Sequence, residues 1–206
     1  TVTGVQTCAL PISIVGRQPF GGMGLSAFGP GIKAGGPNYV ACFLEISDRV
    51  AEVREEVAAA GVGDIEQPEL RSLVLQLDPH SPLGDALHRV SVNYERAWRE
   101  EFSRELDDFR LLGQDNLRRY LPFAEVVVRV TAGDSWYETL ARVVAARVTG
   151  ARVIVSFAQE CPTDWPDQLE SWTESWGGQL ECVREPDEAM VDHLAQPGMV
   201  RMRYAD

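Results

Sequence analysis

From Glu125 onward the chain alternates short β-branched runs with amphipathic helical stretches, and few folds accept that order. Glu125–Val130 and Arg152–Phe157 are strand-like, as are residues 179–183 and 199–204. Between them Ser135-x-x-Glu138 forms a capping box that opens a helix with Tyr137, Leu140, Ala141, Val144 and Val148 on one face, closed by Gly150. Residues 165–176 read as a helix stopped by Gly177-Gly178, and residues 187–195 as another. Four strands separated by three helices predict a parallel sheet with right-handed crossovers, an α/β fold.

Upstream of this alternation the pattern is helical. Ser47 can cap a helix running to about residue 60, ended by Gly61. A longer stretch over residues 82–109 carries Leu83, Leu87, Val90, Tyr94, Trp98, Phe102, Leu106 and Phe109 at spacings of three and four, which predicts one continuous apolar stripe.

Residues 16–38 hold eight glycines, which a backbone uses where φ must turn positive or where something approaches closely. A flexible linker is one reading, although Phe20, Leu25, Phe28 and Ile32 are apolar for a solvated spacer. A dinucleotide loop is a second, because Gly22-Met-Gly24-Leu-Ser-Ala27 fits G-x-G-x-x-G/A. Its flanks are wrong, with Pro19 upstream and Gly29-Pro30-Gly31 downstream. A Walker loop fails because Ala34 follows Lys33.

The third reading is a resemblance. Pro19-Phe20-Gly21-Gly22, then Ser26-Ala27, then Lys33-Ala34-Gly35-Gly36-Pro37-Asn38-Tyr39 resembles the C-terminal signature of aldehyde dehydrogenases, specifically the L-glutamate γ-semialdehyde (1-pyrroline-5-carboxylate) dehydrogenases. The resemblance implies that Phe20 lines the aldehyde tunnel and that Ser13 helps anchor the substrate carboxylate. Pro19, Gly21 and Gly22 would then belong to the active-site loop. Glycine-flanked amides converging on a carboxylate make an anion-binding concavity without a cation. For Phe20 the plainer alternative is a core aromatic. In the family the glycine before the anchor stands where this chain has Ile12. The run over residues 39–44 would join the family's oligomerisation sheet.

The chemistry of that family is oxidation of an aldehyde by NAD through a cysteine thiohemiacetal, with the nucleophile, base and nicotinamide site all upstream of the PFGG motif. Here Cys42 reads as a buried structural thiol and Cys161 and Cys182 as inert, with no histidine nearby in sequence. The resemblance therefore implies a fragment that is inactive alone and lacks its N-terminal dehydrogenase domain. NAD would be held mostly outside it, and FAD would enter only through an upstream proline dehydrogenase domain. Residues 113–122 and the βαβ unit after them resemble the C-terminal extension of bifunctional proline-utilisation enzymes. In those enzymes a Rossmann-like domain supports assembly or closure of the tunnel between active sites.

Four segments are expected on this reading: an adapter-like stretch over residues 1–12, dehydrogenase sequence over 13–46, a helical connector over 47–112 and a truncated Rossmann-like domain over 113–206. Residues 2–12 match the in-frame translation of a sequencing-library adapter and are set aside as a processing scar would be. The natural protein would then extend further at its N-terminus. The last strand is expected to be followed by a C-terminal truncation.

Charge and composition exclude several classes. The net charge is −12, and because residues 1–44 contain Arg17 and Lys33 and no acid, residues 45–206 carry −14. Such acidity opposes binding to nucleic acid or anionic membranes. One of the 19 basic residues is lysine, a skew that suggests GC-rich codons and a bacterial source. The four cysteines form no C-x-x-C pair, and His80, His88 and His193 have no metal-ligand spacing. Glu55-Glu56 and Glu100-Glu101 read as solvated helix faces, and Arg118 with Arg119 as structural or, alternatively, phosphate-binding. A cytoplasmic homo-oligomer is the expectation for the full-length protein. The competing reading is a non-catalytic α/β structural or assembly module.

Overall fold

A computed structural model of the protein describes residues 43–45, 62–107, 110, 112, 113, 115, 117–195 and 200–203. The chain divides into two units, one of Thr1–Val50 with Glu105–Arg119 and one of Ala51–Arg104 with Tyr120–Asp206.

In the first unit a short antiparallel bridge pairs Leu106 with Arg118, through backbone bonds of 2.9 and 2.8 Å. Arg119 pairs with Glu105 at 3.0 Å beside it. Of the β-like run expected over residues 39–44, Phe43 and Leu44 are described. Both are exposed and neither is in a strand. The helix expected from Ser47 lies outside the described residues.

The second unit is α/β. Helix α1 spans Pro68–Gln76 and α2 spans Pro82–Ala97. They precede strand β1 (Glu125–Val130), helix α3 (Trp136–Val148), strand β2 (Arg152–Phe157) and helix α4 (Trp165–Trp172). Strand β3 (Leu180–Arg184), helix α5 (Asp187–Ala195) and strand β4 (Val200–Arg203) complete the order. The strands form one parallel sheet in the order β3-β2-β1-β4. The alternation expected from Glu125 onward is therefore present, each element within a few residues of its expected bounds.

Local chemistry explains the boundaries. The Ser135–Glu138 capping box is formed, with the Ser135 hydroxyl accepting from the Glu138 amide and the Glu138 carboxylate accepting from the Ser135 amide. Gly150, at φ 87°, ends the turn after α3, and a 3-10 turn after α4 runs into left-handed Gly177. Helix α1 starts on Pro68, whose missing N–H costs nothing at that position. The two amides just before it, of Glu66 and Gln67, donate to the Glu95 carboxylate of α2 at 2.7 Å each.

The expected helix over residues 82–109 is shorter. It ends in a wider π turn, Trp98–Phe102, closed by the Ser103 amide on the Trp98 carbonyl at 2.8 Å. Its buried face is also rotated from the expected stripe. Gly84, Leu87, His88, Ser91 and Glu95 are buried, whereas Tyr94 and Phe102 are more than a third exposed. Small residues at 84 and 91 allow a close approach, and the Glu95 carboxylate is needed beneath α1. The approach at Gly84 is to the Asp78 carbonyl in the turn just before α2, whereas the demand on Glu95 comes from the start of α1.

The main core lies on one face of the sheet. Val126, Val128 and Val130 of β1 and Val153, Val155 and Phe157 of β2 meet Leu140, Val143 and Val144 of α3, with α1, α2, α4 and Trp176 packed into the same cluster. Arg147 joins these layers. Its guanidinium donates to the Ala151 carbonyl at 2.7 Å and to Glu69 at 2.6 Å, and it lies 5.8 Å from the Trp176 ring centre. Trp176 in turn donates to the Glu69 carbonyl at 3.2 Å. On the opposite face Arg129 of β1 reaches Asp187 of α5, so the chain crosses the sheet between β3 and α5. That change of side follows from the strand order. The connections β1 to β2 and β2 to β3 step one way, and β3 to β4 steps back, so a single crossover hand places the last helix on the other face.

Candidate functional site

In an open parallel sheet, ligands bind beyond the carboxyl ends of the strands where the order reverses. Here that point lies between β1 and β4, and the turn from β1 into α3, Thr131-Ala-Gly-Asp-Ser135, lines it. Asp134 is the centre of the turn. Its side chain is fully buried and accepts from the Thr131 amide at 2.7 Å, the Thr131 hydroxyl at 2.9 Å and the Arg142 guanidinium at 2.6 Å. Burial alone pushes the Asp134 carboxyl up. The Arg142 guanidinium and the two Thr131 donors outweigh it and hold the group below its ordinary value.

The start of α3 carries a second carboxylate. Glu138 accepts from the Ser135 hydroxyl at 2.7 Å and from the Ser135 amide at 2.8 Å, and these bonds hold its carboxyl low. The amides of Thr131, Asp134, Ser135 and Glu138 are thus all engaged inside the turn. A dinucleotide pyrophosphate needs free amides, a thin glycine backbone and no competing anion. Two carboxylates stand at this helix start instead. Nor does Gly133 mark a close approach, since a Cβ there would meet only the Thr131 hydroxyl, at 3.9 Å. The residues present do not fit a pyrophosphate.

A second polar cluster lies at the same end of the sheet, on the α5 face. Arg129 is 5% exposed and donates to the Ser156 hydroxyl at 2.7 Å, the Glu185 carbonyl at 3.1 Å and the Asp187 carboxylate. Ser156, fully buried on β2, donates to the Glu185 carboxylate at 2.7 Å. The cluster links β1, β2 and the entry to α5 and is sealed from solvent except at Asp187. Beside it Arg184 donates to the carbonyls of Ala158, Cys161 and Pro162, at 3.1, 2.9 and 2.7 Å, and so fixes the loop from β2 to α4. Sequence reasoning missed Arg129, Asp134 and Arg147. Arg129 left a legible signal, because a guanidinium inside the apolar strand Glu-Val-Val-Val-Arg-Val must find a buried partner.

The site residues expected from the glycine-rich segment, Ser13, Pro19, Phe20, Gly21 and Gly22, lie outside the described residues, as do Cys42 and the Glu55-Glu56 pair. Cys161 is buried, with its thiol on the Val130 carbonyl at 3.3 Å, and burial pushes its pKa up. Cys182 is half-buried and, through burial and then the Glu170, Asp167 and Glu181 carboxylates, is pushed up to about 12. A thiol so raised is a poor nucleophile. His88 is buried on α2. Among the described residues no group of three or more His, Cys, Asp or Glu side chains is placed to hold a metal ion. No described helix is long and apolar enough to cross a membrane. Comparison with family models, curated proteins and solved structures finds no match to the chain.

Proposed function

We propose that the chain is the C-terminal part of an NAD-dependent aldehyde dehydrogenase that oxidises L-glutamate γ-semialdehyde to L-glutamate, followed by a non-catalytic Rossmann-like module. The ordered run from Pro19-Phe20-Gly21-Gly22 through Lys33-Ala34-Gly35-Gly36-Pro37-Asn38-Tyr39 carries this reading. In it Phe20 lines the aldehyde tunnel and Ser13 lies at the carboxylate anchor, while NAD and the cysteine nucleophile belong to sequence before Ser13. Bound NAD would accept the hydride released as the aldehyde is oxidised. FAD belongs to the protein only if a proline dehydrogenase domain also precedes it. A cytoplasmic homo-oligomer is the corresponding assembly.

The turn at Asp134 and Glu138 supports the second half of the proposal. A turn that places two carboxylates at the switch point, one bonded to Arg142 and the other to Ser135, is suited to packing and not to holding a dinucleotide. The competing reading, a self-contained α/β assembly module, shares this support and differs only in what precedes Ser13.

The test is to recover the reading frame on either side of this sequence from the source DNA and to assay the protein it encodes. A cysteine-bearing domain before Val15, with NAD-dependent oxidation of glutamate semialdehyde by the full-length protein and no NAD binding by the 206-residue chain in titration calorimetry, is expected. Native codons for residues 2–12 behind a start site would overturn the dehydrogenase assignment and leave the assembly module. Saturable NAD binding by the 206-residue chain would overturn the non-catalytic reading of the sheet.

A further inference from the structure

We propose that the outer edge of β3 takes up an extended, cationic segment of a partner protein, which joins the sheet as a further strand beside Leu180–Arg184. Among the described residues β3 is an end strand and pairs with β2 alone. The Gln179 carbonyl accepts from the Val153 amide at 2.9 Å and the Glu185 amide donates to the Phe157 carbonyl at 3.1 Å, so the odd-numbered residues turn their backbone groups toward β2. Backbone direction alternates along a strand, and the N–H and C=O groups of Leu180, Cys182 and Arg184 therefore point outward. Among the described residues none bonds to them. Three donors and three acceptors in a row are what an extended peptide needs to lengthen a sheet sideways.

Charge selects the occupant. Residues 159–183 hold six acids, Glu160, Asp164, Asp167, Glu170, Glu174 and Glu181, and no Lys, Arg or His. Leu180 and Cys182 lie on the α4 face of the sheet, in register with Val153 and Val155. The exposed carboxylates of Glu170 and Asp167 on α4 are close enough to act on the Cys182 thiol. An incoming strand meets those two acids on the α4 face and half-buried Val183 on the other, where Glu181 is already engaged by Arg152. It should therefore alternate basic with apolar residues. A second copy does not suit the edge. Two-fold pairing of β3 with itself brings two acidic α4 helices side by side, and their charges repel.

The probe is a capped hexapeptide of alternating lysine and valine, titrated into the isotope-labelled 206-residue chain and followed by NMR with amide exchange. One-to-one binding is expected, with the amides of Leu180, Cys182 and Arg184 slowed about tenfold at about 90% occupancy. Those of Glu181 and Val183, which already face β2, should change little. Peptides N-methylated at every lysine or at every valine keep their charge. One of the two should lose binding by roughly tenfold or more and the other keep it, according to whether the new strand runs antiparallel or parallel to β3. Asp167→Asn with Glu170→Gln, both on the exposed side of α4, should weaken the unmethylated peptide roughly fivefold to tenfold. No binding below about 1 mM, or affinity unmoved by both methylated peptides or by the charge variant, would overturn the proposal. So would protection centred on other amides. A disulfide formed under oxidant between the Cys182 thiols of two copies would overturn it as well, since in a two-fold β3 pair they stand about 5.5 Å apart at Cα and a second copy would then hold the edge.

Discussion

Replacing Gly84 by alanine should destabilise the second unit, against the sign that helix propensity gives. Gly84 is the third residue of α2, and in a helix alanine is favoured over glycine by about 1 kcal/mol. A Cβ at this position would lie 2.1 Å from the Asp78 carbonyl oxygen, 2.8 Å from the Asp78 carbonyl carbon and 3.1 Å from the Ser81 hydroxyl. The first two are backbone atoms, so no side-chain rotation relieves the overlap. Either the turn at Asp78, already at φ 57°, or the start of α2 must move by an ångström or more. That movement breaks the Ser81 cap on the Gly84 amide, worth about 1 kcal/mol. It also strains a packed site by about 1–3 kcal/mol. After the propensity gain the net loss is about 1–3 kcal/mol, a fall in melting temperature of roughly 3–10 °C for a unit of this size. Urea unfolding followed by tryptophan fluorescence measures it directly, with Trp98, Trp136, Trp165, Trp172 and Trp176 all in this unit. Gly63→Ala is the control, because nothing lies within 4 Å of a Cβ there, and its midpoint should hold or rise slightly. If Gly84→Ala raises the midpoint as the control does, the close approach of α2 to Asp78 is wrong.

Three further outcomes follow from particular contacts. Glu95→Ala strips the Glu66 and Gln67 amides of their acceptor and should cost about 2–3 kcal/mol in urea unfolding; a loss below about 0.5 kcal/mol would mean that Glu95 does not hold the start of α1. Asp134 is held below its ordinary value of 3.8 when folded, so as pH falls the unfolded chain takes up this proton first. The stability it contributes is complete well above 3.8 and is lost as pH falls through the folded value. Asp134→Asn should therefore flatten the decline of the urea midpoint between about pH 5 and 3, and an unchanged slope would refute the pairing with Arg142. Cys182, pushed up to about 12 from an ordinary 9.0, should be alkylated at pH 8 about a thousandfold more slowly than a free thiol. Peptide mapping after iodoacetamide reads that site, and labelling at the free-thiol rate would show Cys182 to be more exposed than the fold places it.

The α/β class and the four strands were legible because their signals are local. Val-rich runs of six, the Ser135–Glu138 box and the glycines at 150, 177 and 178 act on neighbours a few residues away. Helix α1 also left signals, Pro68 at its first turn and Leu70, Leu73 and Val74 at helical spacing, but its nine residues are short for a pattern to stand out. Tyr94 and Phe102 misled for a physical reason. Their spacing is helical, yet the face of α2 that turns inward carries Gly84, Ser91 and Glu95, with Gly84 against the Asp78 turn and Glu95 beneath the start of α1.

Of the candidate site, the glycine-rich segment could be read from sequence as a motif, and its residues lie outside the described structure. Of the polar clusters at the sheet's carboxyl end, the Ser135–Glu138 box was legible and Arg129 left a signal, but their partners Arg142, Ser156, Glu185 and Asp187 could not be read. Sequence by itself determined, within a few residues, where the strands and helices from Glu125 onward begin and end, because caps, glycine turns and apolar periodicity are set by residues within one or two turns of each other. Only the tertiary structure decided the order β3-β2-β1-β4, and with it that Arg129 meets Asp187 58 residues on and that Glu69 accepts from Trp176 107 residues on. Those partners are chosen by which buried charge or donor must be satisfied once the sheet has closed over it, and that demand exists only in the folded chain.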